Sequence, residues 1–186
     1  MNDAFPAGKG GMTAVLGLES EKLLKCCEQA SEYGVVTIAN HNCPGQLVLS
    51  GEASAVEAAS RYAVEAGAKR VMPLPVGGPF HSPLLISAGE ALAEELEKIP
   101  IRIPEIPVVS NVTAQPVGSE EEIRKRLAQQ VSSPVRWEDS IRYMLSQGVD
   151  TFIETGPGKA LTGFMKRIDK TATVYNLQDM ASLEEV

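Results

Sequence analysis

The stretch "GVVTIANHNCPGQLVLSG", residues 34–51, decides the fold of the first half of the chain. "GVVTIAN" (34–40) is β-branched and alternating, "QLVLSG" (46–51) is a second apolar run, and "HNCPG" (41–45) separates them. Alternation of this kind reads as strand. Pro44 fixes φ and Gly45 accepts the positive φ of a type II turn, which makes Cys43 the first turn residue. The stretch is therefore a β-hairpin.

On its N-terminal side, "MTAVLGL" (12–18) is a strand, and Glu19 to Ala30 follows as a helix with Leu23, Leu24, Cys27 and Ala30 on its buried face. On its C-terminal side a second helix is predicted from Ser54 to Ala66, with Val56, Ala59, Tyr62 and Ala63 inward and Gly67 at its cap. "KRVMPLPV" (69–76) is the last strand, ended by prolines. Strand, helix, strand, strand, helix, strand over residues 12–76 is the ferredoxin-like βαββαβ pattern. That pattern names no function by itself.

Residues 77–177 read differently. Ser82 is a natural N-cap and Pro83 a natural first helical residue for a helix to about Lys98, with Leu85, Ala88, Leu92, Leu96 and Ile99 as its buried stripe. "IPVVSNV" (106–112) is expected to be a short buried strand, and Ser119 with Glu122 forms a capping-box signature for a helix to about Val131. Trp137, Ile141, Met144 and Leu145 line a further helix stopped by Gly148. "DTFIETGPGKALTGFMKRI" (150–168) reads strand, turn, helix, and "TATVYNL" (171–177) closes with a strand. The alternation suggests parallel α/β layering, yet about three strands are too few for an independent sheet covered on both faces. Residues 1–11 and 178–186 are read as flanking segments.

Composition bounds the function. A chain of 186 residues with 44% hydrophobic and 22% charged residues can bury a real core. A net charge of −7 argues against nonspecific nucleic-acid binding, which needs a basic surface. No apolar run approaches a membrane span and no signal peptide opens the chain. The three cysteines, Cys26, Cys27 and Cys43, stand at no zinc spacing and read as reduced thiols of a cytoplasmic protein.

One of the two histidines, His81, lies in the Pro/Gly-rich loop "LPVGGPFHSPLL" (74–85) at a helix start. It reads either as a capping or solvent-facing ring or as a general base, since imidazole titrates near neutral pH. A base needs a nucleophile. Ser82 is better spent as a helix cap, and Cys43, with Asn40, His41 and Asn42 beside it, could make a Cys/His/Asn arrangement or be a plain turn thiol. A serine elbow needs G-x-S-x-G, and the half-matches at Ser87 and Ser146 follow Leu85 and Met144 where glycine belongs. "GPGK" (156–159) lacks the Walker spacing. Lys166, Arg167 and Lys170 form a basic cluster suited to a helix C-terminus or to docking.

"ANHNCPGQLVLSG" (39–51), "AGAKRVMPLPVGGPFHSPLL" (66–85), "VVSNVTAQPV" (108–117), "QQVSSPVRW" (129–137) and "ETGPGKALTGFMKRI" (154–168) together resemble the malonyl-CoA:acyl carrier protein transacylases in order and spacing. The resemblance covers about the C-terminal three-fifths of such an enzyme. It implies a ferredoxin-like small subdomain joined to the C-terminal part of an α/β-hydrolase-like acyltransferase domain. It implies malonyl-CoA as substrate, an acyl carrier protein as partner, no cofactor, no metal, no membrane or nucleic-acid partner, and a monomer. In the family a serine on a G-H-S-x-G elbow attacks the malonyl thioester, and His81 matches the histidine that takes its proton. Gln130 matches the residue whose backbone carbonyl orients that ring, Phe80 a residue of the acyl pocket, and Asn42 a residue facing the cleft between subdomains. The serine, the malonyl-clamping arginine and the oxyanion amides lie upstream of Met1 in the family. The chain alone is therefore expected to show little or no transacylase activity. Non-catalytic binding of carrier protein or coenzyme A, and a Cys43/His81 thiol enzyme, are the alternatives. Lys69, Arg70, Lys166 and Arg167 are expected to flank the entrance as a basic docking surface for an acidic carrier protein.

Overall fold

β1 (Gly10–Leu16) lies inside a four-stranded antiparallel sheet of order β2-β3-β1-β4, with β2 spanning Val36–Cys43, β3 Gln46–Glu52 and β4 Arg70–Pro73. The computed structural model describes residues 5–6 and 8–184, so parts of both expected flanking segments lie outside the described residues. β1 itself begins inside the segment expected to flank the small unit, and a short helix α7 (Met180–Leu183) stands in the other.

α1 (Ser20–Gln29), continued by a 3-10 turn over Ala30–Tyr33, and α2 (Ala53–Glu65) cover one sheet face. Val15, Leu47, Leu49 and Ile38 meet Leu23, Cys27, Val56, Ala59 and Ala63 there, and Leu23 and Leu49 are fully buried. Each such side chain contributes about 1.5–3 kcal/mol. Leu24 does not share this face: it is exposed, and Cys26 takes the expected inward place. The helix rotates so that positions 23, 26, 27 and 30 form its apolar stripe. The opposite sheet face carries Met12, Ala39 and Val48, covered by Leu74 and Phe80.

The second half contains less strand than its sequence promises. β5 is only Val109–Ser110, paired antiparallel with β6 (Gln115–Pro116) around Ala114 at φ +56°. Ile106 and Val108 are exposed, against the expected buried strand over 106–112. The helix expected from Ser82 to Lys98 splits into a 3-10 turn, Pro83–Leu85, and α3 (Ile86–Leu96). Of its expected buried stripe Leu85 and Leu96 are buried, whereas Leu92 and Ile99 are exposed. α3 instead packs through Gly89, where an added Cβ would lie 2.9 Å from the Ala128 carbonyl of α4 (Glu120–Gln130). Ser119 caps α4 by accepting the Glu122 amide, but the Glu122 carboxylate turns to the Gly118 amide, one residue short of a capping box.

α5 (Trp137–Ser146) leads through Gly148, at φ +86°, into β7 (Thr151–Thr155), α6 (Ala160–Ile168) and β8 (Thr173–Leu177). β7 and β8 pair in parallel, as a strand–helix–strand crossover requires. No helix among the described residues is long and apolar enough to cross a membrane.

One short segment of the second half pairs with the small sheet. The His41 amide donates to the Val135 carbonyl at 2.9 Å and the Val135 amide to Ala39 at 2.8 Å, so Val135 adds a parallel bridge to the outer edge of β2. The next amide, Arg136, donates to Asn111 in the β5–β6 hairpin.

Candidate active site

The loop after β4 is pinned before its histidine is reached. Pro79 is fully buried against Gly10, where a Cβ would stand 2.5 Å from the proline ring. The Ser82 hydroxyl is also buried and donates to the Pro79 carbonyl at 2.6 Å. Ser82 thus occupies the N-cap position without capping, a departure from its expected role. Between these two points His81 takes φ +58°, a left-handed conformation rare outside glycine and found where surrounding structure overrides strain.

That turn delivers the imidazole to α4. Nδ1 of His81 lies 3.0 Å from the Gln130 main-chain oxygen, 49 residues away. A carbonyl can only accept, so Nδ1 carries the proton, and in the neutral ring Nε2 is left with a free lone pair. The ring's tautomer is thereby fixed. Phe80, one residue earlier, packs half-buried on the face formed by Met12, Ala39 and Val48.

Asn42 owes its place to an irregularity in β2. The pairing of β2 with β3 skips a residue between Ile38 and Asn40 and again between His41 and Cys43, so Ala39 and Asn42 sit at bulges. A bulge re-aims its side chain relative to the pleat. The sequence shows alternation there and gives no sign of the extra residues. His41 beside it is largely buried, and burial draws its pKa below the usual histidine value despite the nearby Asp139 carboxylate.

The thiols are not poised for catalysis. Cys43 is 1% exposed, burial raises its pKa, and its sulfur points to Gln46 Oε1 at 3.9 Å rather than to an imidazole. Burial pushes Cys27 up to about 12. Neutral buried thiols are poor nucleophiles, which disfavours the Cys43/His81 enzyme.

Of the basic residues, Lys69 and Arg167 each lie at one partner of the Gly17–Gly45 contact. The Lys69 stem lies over Gly17, the Gly17 amide donates to the Gly45 carbonyl at 2.8 Å, and Arg167 Nη2 lies across Gly45. Arg70 is exposed on β4. Lys166 diverges from its neighbour: with Lys159 it lines a polar cleft of about 350 Å³ between α6, β8 and α7. The expected four-residue patch is thus divided.

The sequence pattern of the acyl transferase domain matches residues 4–182. The chain belongs to the acyl transferase domain family. Within it, the chain is 45% identical over 185 residues to the malonyl CoA-acyl carrier protein transacylase of Bacillus subtilis, covering 99% of this chain and 58% of that protein. It is 43% identical over 183 residues to the protein of that name from Escherichia coli K12, covering 98% and 59%. Among solved structures, an acyl carrier protein S-malonyltransferase from Vibrio cholerae superposes with a TM-score of 0.97 at 44% identity, over 100% of this chain and 60% of that one. A malonyl-transacylase in complex with a type II PKS acyl-carrier protein gives 0.96 at 40% identity, over 98% and 59%. The acyl transferase chain therefore spans about three-fifths of the length of the curated relatives it matches.

Sequence reading missed two residues that build this region. Glu154, at the end of β7, accepts the Leu161 amide and the Thr162 amide and hydroxyl, capping α6 across the Gly-Pro-Gly turn. Arg136 bonds Asp139 and the Thr113 carbonyl and so braces Val135. Each bonds main-chain groups outside its own element, and such contacts leave no pattern in the sequence.

Proposed function

We propose that this chain is the base-bearing part of a malonyl-CoA:acyl carrier protein transacylase. The observation that carries the reading is the His81 Nδ1–Gln130 carbonyl bond, which leaves Nε2 free to accept a proton. The similarity of the whole chain to named transacylases supports the substrate and the partner.

In the proposed reaction a serine hydroxyl, on an elbow this chain does not contain, attacks the malonyl thioester while Nε2 takes its proton. The tetrahedral intermediate collapses to a seryl ester and the sulfur of coenzyme A leaves with that proton. The carrier-protein thiol then repeats the steps in reverse: Nε2 takes the thiol proton and returns it to the serine. No cofactor enters. Phe80 forms a wall of the acyl pocket and Asn42 faces the same cleft.

The architecture proposed with this function is a ferredoxin-like unit over residues 12–76 and a hydrolase-like part over 77–177. Supporting the first is the βαββαβ order with sheet order β2-β3-β1-β4. Supporting the second is the parallel β7–β8 pair with Ile153 exposed, a sheet too small to stand alone.

Radiolabelled malonyl-CoA tests the reading. The chain alone should take up no covalent label. Joined to the serine-bearing upstream part of the Bacillus subtilis relative, it should form a labelled ester and pass it to carrier protein. Label on the isolated chain, or none on the joined protein, would overturn the proposal.

A further inference from the structure

We propose that Arg167 is a positioning residue: from the end of α6 its guanidinium ties down the β2–β3 turn and so holds the bulge that carries Asn42. Nη2 donates to the Pro44 carbonyl at 2.7 Å and Nη1 to Gln46 Oε1 at 2.9 Å, across 123 and 121 residues of sequence. The planar fork presents its N–H groups to two acceptors of one turn in a fixed geometry, where a lysine offers a point charge on a flexible stem.

β2 needs such a tie. It is an edge strand with two bulges, each of which leaves one residue unpaired and disrupts the ladder locally. Val135 pins it at its middle, through Ala39 and His41. The bulge at Asn42 lies between that pin and the turn, and Arg167 supplies the second pin. The Gly17 amide also holds the turn, donating to the Gly45 carbonyl at 2.8 Å. Gly45 has φ +67°, and a Cβ built there would stand 3.6 Å from Nη2, so the guanidinium lies directly over the turn. α6 is a firm anchor, with Thr162 and Met165 buried and Glu154 capping its start. Cations are common in the last turn of a helix, but Lys166 satisfies that preference without reaching the hairpin.

The consequence for Asn42 in catalysis rests on the transacylase reading; the tie does not. The test therefore uses physical readouts on the 186-residue chain. Hydrogen exchange of the 38–46 peptide and alkylation of Cys43 by iodoacetamide, mapped apart from Cys26 and Cys27, are compared in wild type, Arg167→Ala, Arg167→Lys and Gln46→Leu. Arg167→Ala should speed hairpin exchange and Cys43 alkylation roughly tenfold while leaving α1 and α2 unchanged. Gln46→Leu, which keeps the Pro44 bond, should give a smaller rise, and Arg167→Lys should recover part of the loss. The thiol makes the sign informative. Arg167 also favours the Cys43 thiolate electrostatically, so removing charge without releasing the turn would slow alkylation. Slower alkylation with unchanged hairpin exchange would overturn the proposal. So would exchange that rises equally across the whole chain. Should Arg167→Ala fail to fold, an unchanged hairpin in Gln46→Leu would overturn it as well.

Discussion

His81 combines a left-handed backbone with a ring committed at Nδ1, and together they fix where Nε2 lies. Phe80 shares that loop and packs on the face with Ala39 and Val48, so under the proposed function its volume limits what enters beside His81. In the joined protein, Phe80→Ser should raise methylmalonyl over malonyl loading by about 1–3 kcal/mol of discrimination. Competition between the two labelled thioesters reads this, and an unchanged ratio would place Phe80 outside the pocket. Cys43 carries the opposite expectation. Its buried, neutral thiol has no chemistry to lose, and Cys43→Ala should leave malonyl transfer within about twofold of the parent. Abolished transfer would revive the thiol mechanism.

At the scale of elements, the β2–β3 hairpin carries Asn42 and α6 reaches it through Arg167. Burial pushes the Glu154 pKa up, but the hydrogen bonds from Thr162 and Leu161 outweigh it and hold the carboxyl below its usual value. A carboxylate lowered in the folded state stabilises above its unfolded pKa and loses that contribution as pH falls through the folded value. Glu154→Gln should therefore cost about 1 kcal/mol at pH 7, with the gap to wild type closing below about pH 4. Urea unfolding at both pH values measures this, and a gap independent of pH would contradict it. Element positions in the first half were legible in the sequence because alternation, helical spacing and the Pro44–Gly45 turn all agree there. The helix expected over residues 82–98 misled because Leu92 in α3 and Ile99 beyond its end are exposed, while the close approach is made by Gly89, which spacing rules count as a helix weakener. The bulges at Ala39 and Asn42 were illegible, since an extra residue changes pairing and not composition. The Gln130 carbonyl has no side-chain signature, and only the family resemblance points to it.

At the scale of the molecule, the proposed function requires an acidic chain to meet an acidic carrier protein through a local basic surface. Arg167 is held by the hairpin, which leaves Lys69 and Lys166 as the cations to test. Lys69→Glu with Lys166→Glu in the joined protein should weaken transfer to carrier protein and flatten its salt dependence, while sparing loading from malonyl-CoA. Equal loss of both steps would indicate damage to the fold instead. The central claim is that the loop between the two halves presents Nε2 of His81 to a serine carried elsewhere. The most direct measurement is the single-turnover rate of malonyl loading by His81→Ala in the joined protein. A fall of at least about 10²-fold, with the fold intact by circular dichroism, is the predicted result; loading at the parent rate would contradict the account.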